Sequence, residues 1–153
     1  MKKIFVYGTL INSGMMSSLK YLGGATTKVP VISNTKDTGF PRVMTLDRMK
    51  DYGFDILEAY SRPIRGQLYE VTEKAKNDGT LSNLDSYEGY PSFYDKQEVV
   101  VVCDDGTETT CEMYHAKDAA KSFWSSVINR EKIQNFVLTN PNDQDGPIQW
   151  KEF

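Results

Sequence analysis

Residues Phe93–Tyr114 read FYDKQEVVVVCDDGTETTCEMY, and this stretch decides the class of fold. The run Val99-Val100-Val101-Val102 is β-branched and continuous, which suits a strand buried along its length. Asp105-Gly106 is a hairpin turn signal, because Gly tolerates the left-handed conformation such turns need. Thr107 to Tyr114 is then the returning strand. A long hairpin near the middle of a chain is foreign to a doubly wound parallel sheet. It points to an α+β protein.

Working outward, Ile64 to Val71 alternates as a strand with one polar side, and Thr72 caps a short helical turn that Asn77-Asp78-Gly79 breaks. Ser82 and Asn83 introduce a second short helix in which Leu81, Leu84 and Tyr87 lie three apart. Gly89 and Pro91 end it. At the N-terminus, Ile4-Phe5-Val6-Tyr7 is a strand closed by Gly8. Asn12 or Ser13 is expected to cap a helix carrying Met15, Met16, Leu19 and Leu22, stopped by Gly23-Gly24, with the methionines as core packing. Val29 to Ser33 and Arg42 to Leu46 read as strands around a turn at Gly39-Phe40-Pro41. Ala119 to Arg130 reads as an amphipathic helix, with Phe123, Trp124, Val127 and Ile128 on one side. The tail Asn140 to Phe153 reads as extended and held down by Trp150 and Phe153. Residues 47 to 63 have no clear period and read as a loop. The expectation is one domain over 1–153, with a core of about 1–116 and a helix and tail over 117–153.

Composition narrows the function. The chain has 153 residues, is 39% hydrophobic and 12% aromatic, and is therefore a folding sequence and not a disordered one. A net charge of −3 argues against a general nucleic-acid binder, which draws its affinity from phosphate neutralisation. No apolar run reaches the roughly 18 residues of a membrane span. The first apolar run reads as a strand and not as a secretion signal, so the expected compartment is the cytoplasm. Two cysteines and one histidine are too few for a structural zinc site or a disulfide framework, so no metal is expected. Cys111 and His115 share one strand face but stand about 13 Å apart at ~3.3 Å per residue, too far for a thiolate pair. Asp104-Asp105 and Asn142-Asp143-Gln144-Asp145 read as solvated turns, since the latter lacks the Gly and terminal Glu of a calcium loop.

Two places can carry chemistry. Tyr7-Gly8-Thr9-Leu10 ends a strand in a Gly turn, whose successive N–H groups can hold an anion such as a carboxylate. Asp85-Ser86-Tyr87-Glu88-Gly89-Tyr90-Pro91 ends a short helix in a glutamate among Tyr87, Tyr90, Phe93 and Tyr94. Aromatic walls, the negative end of the helix dipole and a nearby Asp85 would each raise the pKa of Glu88, fitting it to take and return a proton near neutral pH. The alternative is an exposed helix-end glutamate beside a Gly cap.

In combination these segments resemble the γ-glutamylcyclotransferase-like family, in particular its γ-glutamylamine cyclotransferase and AIG2-like branch. The resemblance rests on Phe5-Val6-Tyr7-Gly8-Thr9-Leu10, Gly39-Phe40-Pro41, Ile64-Arg65-Gly66-Gln67-Leu68-Tyr69-Glu70-Val71, and Leu84-Asp85-Ser86-Tyr87-Glu88-Gly89-Tyr90-Pro91 followed by Tyr94. These stand in the family's order and cover about residues 4 to 115. The resemblance implies a small mixed β-barrel with flanking short helices and one central cavity. It implies that Tyr7, Gly8, Thr9, Leu10 and Tyr94 bind a small γ-glutamyl substrate and that Glu88 is the catalytic acid/base. The implied reaction forms 5-oxoproline by attack of the substrate's own α-amine on its γ-carbonyl, releasing the attached amine without a cofactor. The alternative is a non-catalytic barrel of the same fold that binds a metabolite or a protein. Two departures stand out. Ile11-Asn12-Ser13-Gly14 replaces a basic residue and Gly-containing turn frequent after the first motif, and Lys96 stands in place of a frequent arginine.

Overall fold

The computed structural model describes residues 2–8, 14–28, 31–34, 42–45, 47, 51, 63–88, 94–116, 136–138 and 148–150; for 31–34, 42–44, 87, 88, 94, 116, 136–138 and 148–150 it describes the backbone alone. Nine strands and two α-helices have their bounds among the described residues. They are β1 (Lys3–Val6), β2 (Lys20–Thr27), β3 (Val31–Asn34), β4 (Arg42–Thr45), β5 (Ile64–Glu70), α1 (Glu73–Asn77), α2 (Thr80–Glu88), β6 (Tyr94–Cys103), β7 (Glu108–Ala116), β8 (Phe136–Leu138) and β9 (Ile148–Trp150).

Five strands close on themselves. The order is β1-β7-β6-β2-β5, and β5 pairs back onto β1. Only the β1–β7 contact is parallel; the other four pairings around the ring are antiparallel. The mixed barrel with flanking short helices expected from the sequence is the fold of this chain. The β6–β7 hairpin is the longest ladder, running from Tyr94↔Ala116 to Val102↔Glu108, and Gly106 at its turn has φ +91°. β3 and β4 form a separate two-stranded sheet, tied to the barrel where Thr45 donates to Gln97 Oε1 at 2.8 Å.

β1 shows why its sequence is apolar without interruption. Phe5 and Tyr7 belong to a cluster with Ala25, Ile64, Leu68, Val99, Val101, Cys111 and Met113, drawn from all five barrel strands. Ile4 and Val6 point the other way, into a second cluster with Met16, Leu19, Tyr69, Val71, Ala75, Leu84 and Tyr114, under the helices. A strand buried on both faces has no polar side to show.

Gly66 is where β5 changes partner. Its edge pairs with β1 at Gln67 to Glu70 and with β9, in parallel, at Ile64 and Arg65. A Cβ at position 66 would lie 2.2 Å from the Val6 carbonyl oxygen and 2.8 Å from the Phe5 ring. The missing side chain is what lets the end of β1 close the barrel.

Several sequence expectations need revision. Residues 14–19 form turns, not a helix: Ser17 N–H donates to the Gly14 carbonyl and Leu19 N–H to that of Met16. Met16 and Leu19 are buried, so consecutive turns reproduce the three-residue spacing of a helix without its i→i+4 ladder. Gly23-Gly24 does not stop a helix but sits within β2, where the register shifts between Tyr21 and Gly23 and Gly23 has φ +116°. The second helix begins at Thr80, ahead of Ser82 and Asn83. In the tail, Ile148–Trp150 is a strand joined to β5 and β8. Within residues 47–63, read as a loop, Asp47 and Asp51 are helical. The turn Gly39-Phe40-Pro41, residues 48–50 and 52–62, the helix over 119–130 and the acidic loop 142–145 lie outside the described residues.

Gly66→Ala is expected to destabilise the protein by ~1–3 kcal/mol or more, the usual effect of overpacking a closed core. Chemical denaturation measures it. Unchanged stability would contradict this view of barrel closure.

Candidate active site

The site is built from the ends of four elements. β1 and β7 run parallel, with Ile4 opposite Glu112 and Phe5 opposite Met113. Both therefore leave the barrel at the same end, where β6 enters with Tyr94 opposite Ala116. Tyr7 and Gly8, the first two residues past β1, are buried there. The Tyr7 hydroxyl donates to the Tyr114 carbonyl at 2.8 Å, fixing the strand exit to β7.

α2 delivers the fourth element. Its start is anchored by Asp78, whose carboxylate accepts from both the backbone N–H and the hydroxyl of Thr80. Those bonds hold the Asp78 pKa below the usual carboxylate range. The neighbouring α1 is capped by Thr72, whose hydroxyl oxygen accepts from Ala75 N–H while donating to the Ser18 carbonyl at 2.6 Å. Ser18 and Thr80 share a hydroxyl–hydroxyl bond at 2.6 Å. The turn at 14–19 and both helix starts are thus knitted together.

Farther along α2, Leu81 shares a small cleft with Lys2, Ile4 and Glu112, Leu84 is fully buried in the second cluster, and Asp85 reaches Tyr114 and Lys96. The last residue of this helix is Glu88. Glu88 is four residues beyond Leu84, on the same face of the helix backbone, and its last turn contains no basic residue.

Asp85 differs from its expected role. Its carboxylate accepts from the Tyr114 hydroxyl at 2.5 Å and from Lys96 Nζ at 3.0 Å. The two side chains of the ion pair are only 29% and 24% exposed. The negative charge expected to repel Glu88 is therefore offset by a lysine and a phenol. Lys96 Nζ also lies 5.9 Å from the centroid of the Tyr114 ring.

Of the residues expected to form the site, Tyr7 and Gly8 are placed with their surroundings, Glu88 and Tyr94 by backbone, and Thr9 and Leu10 lie outside the described residues. Sequence reasoning missed Tyr114. Its only signal was a tyrosine ending a hairpin strand, and Tyr7 and Asp85, which it bonds, come from distant segments.

The surroundings of Cys111 do not suit a thiolate nucleophile. Cys111 and His115 are both buried on β7, and burial pushes the Cys111 thiol up to about 12. Its Sγ lies 3.7 Å from the Val99 carbonyl, to which it donates. Cys103 is raised as well, chiefly by desolvation, and both cysteines are free. Among the described residues no group of three or more His, Cys, Asp or Glu side chains is arranged to hold a metal. No described helix is long and apolar enough to cross a membrane.

The family model for gamma-glutamyl cyclotransferase, AIG2-like, matches residues 4–133. This chain belongs to that family. Family membership and fold support gamma-glutamyl cyclotransferase-like activity on a small molecule. Comparison with curated protein sequences yields no match. An AIG2-like protein from Mus musculus superposes with a TM-score of 0.59 at 22% identity, over 93% of this chain and 92% of that one. A protein from Arabidopsis thaliana gives 0.56 at 17% identity, over 85% and 70%. A protein described as gamma-glutamyl cyclotransferase gives 0.51 at 18% identity, over 76% and 66%. At such identities these likenesses concern the fold, and they agree on the mixed barrel.

At pH 8 roughly 10⁻⁴ of a thiol with the Cys111 pKa is ionised. In the native protein Cys111 is expected to resist iodoacetamide for hours and to react at once in denaturant, as peptide mass spectrometry would report. Rapid native labelling would contradict its placement. Leu84→Ala is expected to cost ~2–5 kcal/mol of stability by opening a cavity under α2. Denaturant titration checks this, and a loss well below 1 kcal/mol would mean the helix is held otherwise.

Proposed function

We propose that this protein is a cytoplasmic γ-glutamyl cyclotransferase that converts a γ-glutamyl amine or γ-glutamyl amino acid to 5-oxoproline and a free amine, with Glu88 as general acid/base. The observation that supports the reading is that Tyr114 of β7 bonds both Asp85, three residues before Glu88, and the Tyr7 hydroxyl at the exit of β1. Two free thiols suit a reducing compartment.

The nucleophile is the substrate's own α-amine, so the protein needs neither a reactive serine nor a thiolate. That agrees with a Cys111 thiol pushed up to about 12 by burial. An ammonium has no lone pair to attack with, so the Glu88 carboxylate first accepts its proton. The amine then bonds to the γ-carbonyl carbon, and the carbonyl electrons move onto oxygen. When the oxyanion collapses, the bond from carbon to the leaving nitrogen breaks and Glu88 returns the proton to that nitrogen. The ring nitrogen, left with two hydrogens and a positive charge by its attack, gives its second proton to the freed Glu88 carboxylate, which passes it to the released amine, so that the amine departs as an ammonium. Both protons are conserved, and no oxidant or hydrolytic water takes part.

Backbone N–H groups from Gly8 to Leu10 hold the substrate's α-carboxylate, and either they or Tyr94 stabilise the oxyanion. Folding the glutamyl chain into ring-closing geometry contributes by proximity. Ile11-Asn12-Ser13-Gly14 contains no basic residue, so in this reading the backbone dipoles carry the carboxylate.

A panel of γ-glutamyl-lysine isopeptide, γ-glutamyl-alanine and glutathione, assayed for 5-oxoproline, tests the activity. At least one is expected to turn over, and Glu88→Gln is expected to lower kcat by ~10²–10⁴-fold with its unfolding midpoint unchanged. Full activity in Glu88→Gln removes the assigned role. Calorimetric binding of these compounds without product would instead support a non-catalytic binding module.

A further inference from the structure

Tyr114 touches both halves of the proposed site through two different groups. Its phenolic hydroxyl donates to Asp85, three residues before the end of α2. Its backbone carbonyl accepts from the Tyr7 hydroxyl, at the exit of β1. The helix that ends in Glu88 and the segment that begins with Tyr7-Gly8 are therefore referred to a single residue of β7. Lys96, directly opposite Tyr114 on β6, completes the arrangement by pairing with the same Asp85 carboxylate.

These bonds are not needed merely to keep the helix in place. Leu84 is fully buried against β1 and β7 and supplies the apolar attachment. A partly exposed ion pair adds little net stability. What a carboxylate with two donors from two strands does add is direction, because charge-assisted hydrogen bonds are short and geometrically demanding. Apolar packing alone tolerates small slides and rotations of a nine-residue helix. A slide of 1 Å at a reacting centre can cost about 10²-fold in rate.

We propose that Tyr114, through Asp85 and with Lys96, is a positioning residue: it sets the end of α2, and so Glu88, at a fixed distance from the glutamyl-binding exit of β1. The inference rests on the reading of Glu88 as the acid/base. It predicts a division of kinetic effects. A general acid/base acts in the transition state, so disturbing its position lowers kcat and leaves KM nearly unchanged. Disturbing the other arm, by removing the Tyr7 hydroxyl, loosens the segment that holds the ground-state substrate and raises KM.

Steady-state kinetics and hydrogen–deuterium exchange on the same variants test this. Tyr114→Phe keeps the ring in its cluster and removes only the hydroxyl. It is expected to lower kcat ~10–100-fold with KM within about twofold, and to speed amide exchange in the peptide covering residues 84–88. Lys96→Met is expected to act in the same direction more weakly, and Lys96→Arg to restore wild-type kcat. Asp85→Asn, which keeps the shape of the side chain, repeats the test should Tyr114→Phe fold poorly. Wild-type kcat in Tyr114→Phe and Asp85→Asn, or a rise in KM equal to the fall in kcat, overturns the positioning role. Unchanged exchange over 84–88 overturns it independently of any assay. Failure of the underlying reading looks different: Glu88→Gln stays active, and exchange over 84–88 still rises in Tyr114→Phe.

Discussion

The Val6 carbonyl oxygen occupies space that any side chain at position 66 would fill. That one close approach closes the barrel, because β1 must press against β5 on one side while pairing in parallel with β7 on the other. It also sets where β1 stops following β5, since β9 takes over the same edge at Ile64 and Arg65. The first residues free of the ladder are Tyr7 and Gly8, both buried. A backbone constraint in the wall thus sets where the Tyr7-Gly8 segment leaves it.

The proposed reaction also needs a proton carrier, and α2, which ends in Glu88, packs through Leu84 on the outer face of the wall. Ile4 and Val6 alternate with Phe5 and Tyr7, so β1 offers an apolar surface to both the barrel interior and the helices. Leu84 binds α2 to that outer surface, and Asp85 fixes it by contacts to β6 and β7. Attachment and aim are separate here: the hydrophobic contact holds the helix, and the carboxylate directs it. Cys111 is packed in the barrel cluster, and His115 is buried on the same strand.

Much of this was legible from local pattern. The β6–β7 hairpin declares itself by a valine run and an Asp-Gly turn, and both short helices follow from Thr72, Leu81 and Leu84. The first and last motifs together were enough to place the chain among γ-glutamylcyclotransferase-like proteins. The misreading at residues 15–22 has a physical cause. Buried residues in consecutive tight turns repeat every three positions as they do in a helix, and a glycine pair ends helices as readily as it bulges a strand. Contacts that join remote segments carried no local signal. Asp85 looked like a repelling neighbour of Glu88, whereas Lys96 and Tyr114, 11 and 29 residues away, offset its charge. The parallel pairing of β9 with β5 was equally hidden, because its partners are 84 residues apart in register (Ile64 with Ile148).

The most direct measurement is an NMR titration with 5-oxoproline, the product of the proposed reaction, observing backbone amides and carboxyl side chains together. The account predicts that the amides of Gly8 to Leu10 and the Glu88 carboxyl shift along one saturating curve. Gly23, Gly24 and Thr107, at the opposite mouth of the barrel, should stay still. Shifts confined to that opposite mouth, or a Glu88 signal indifferent to the ligand while the β1 exit responds, would contradict it.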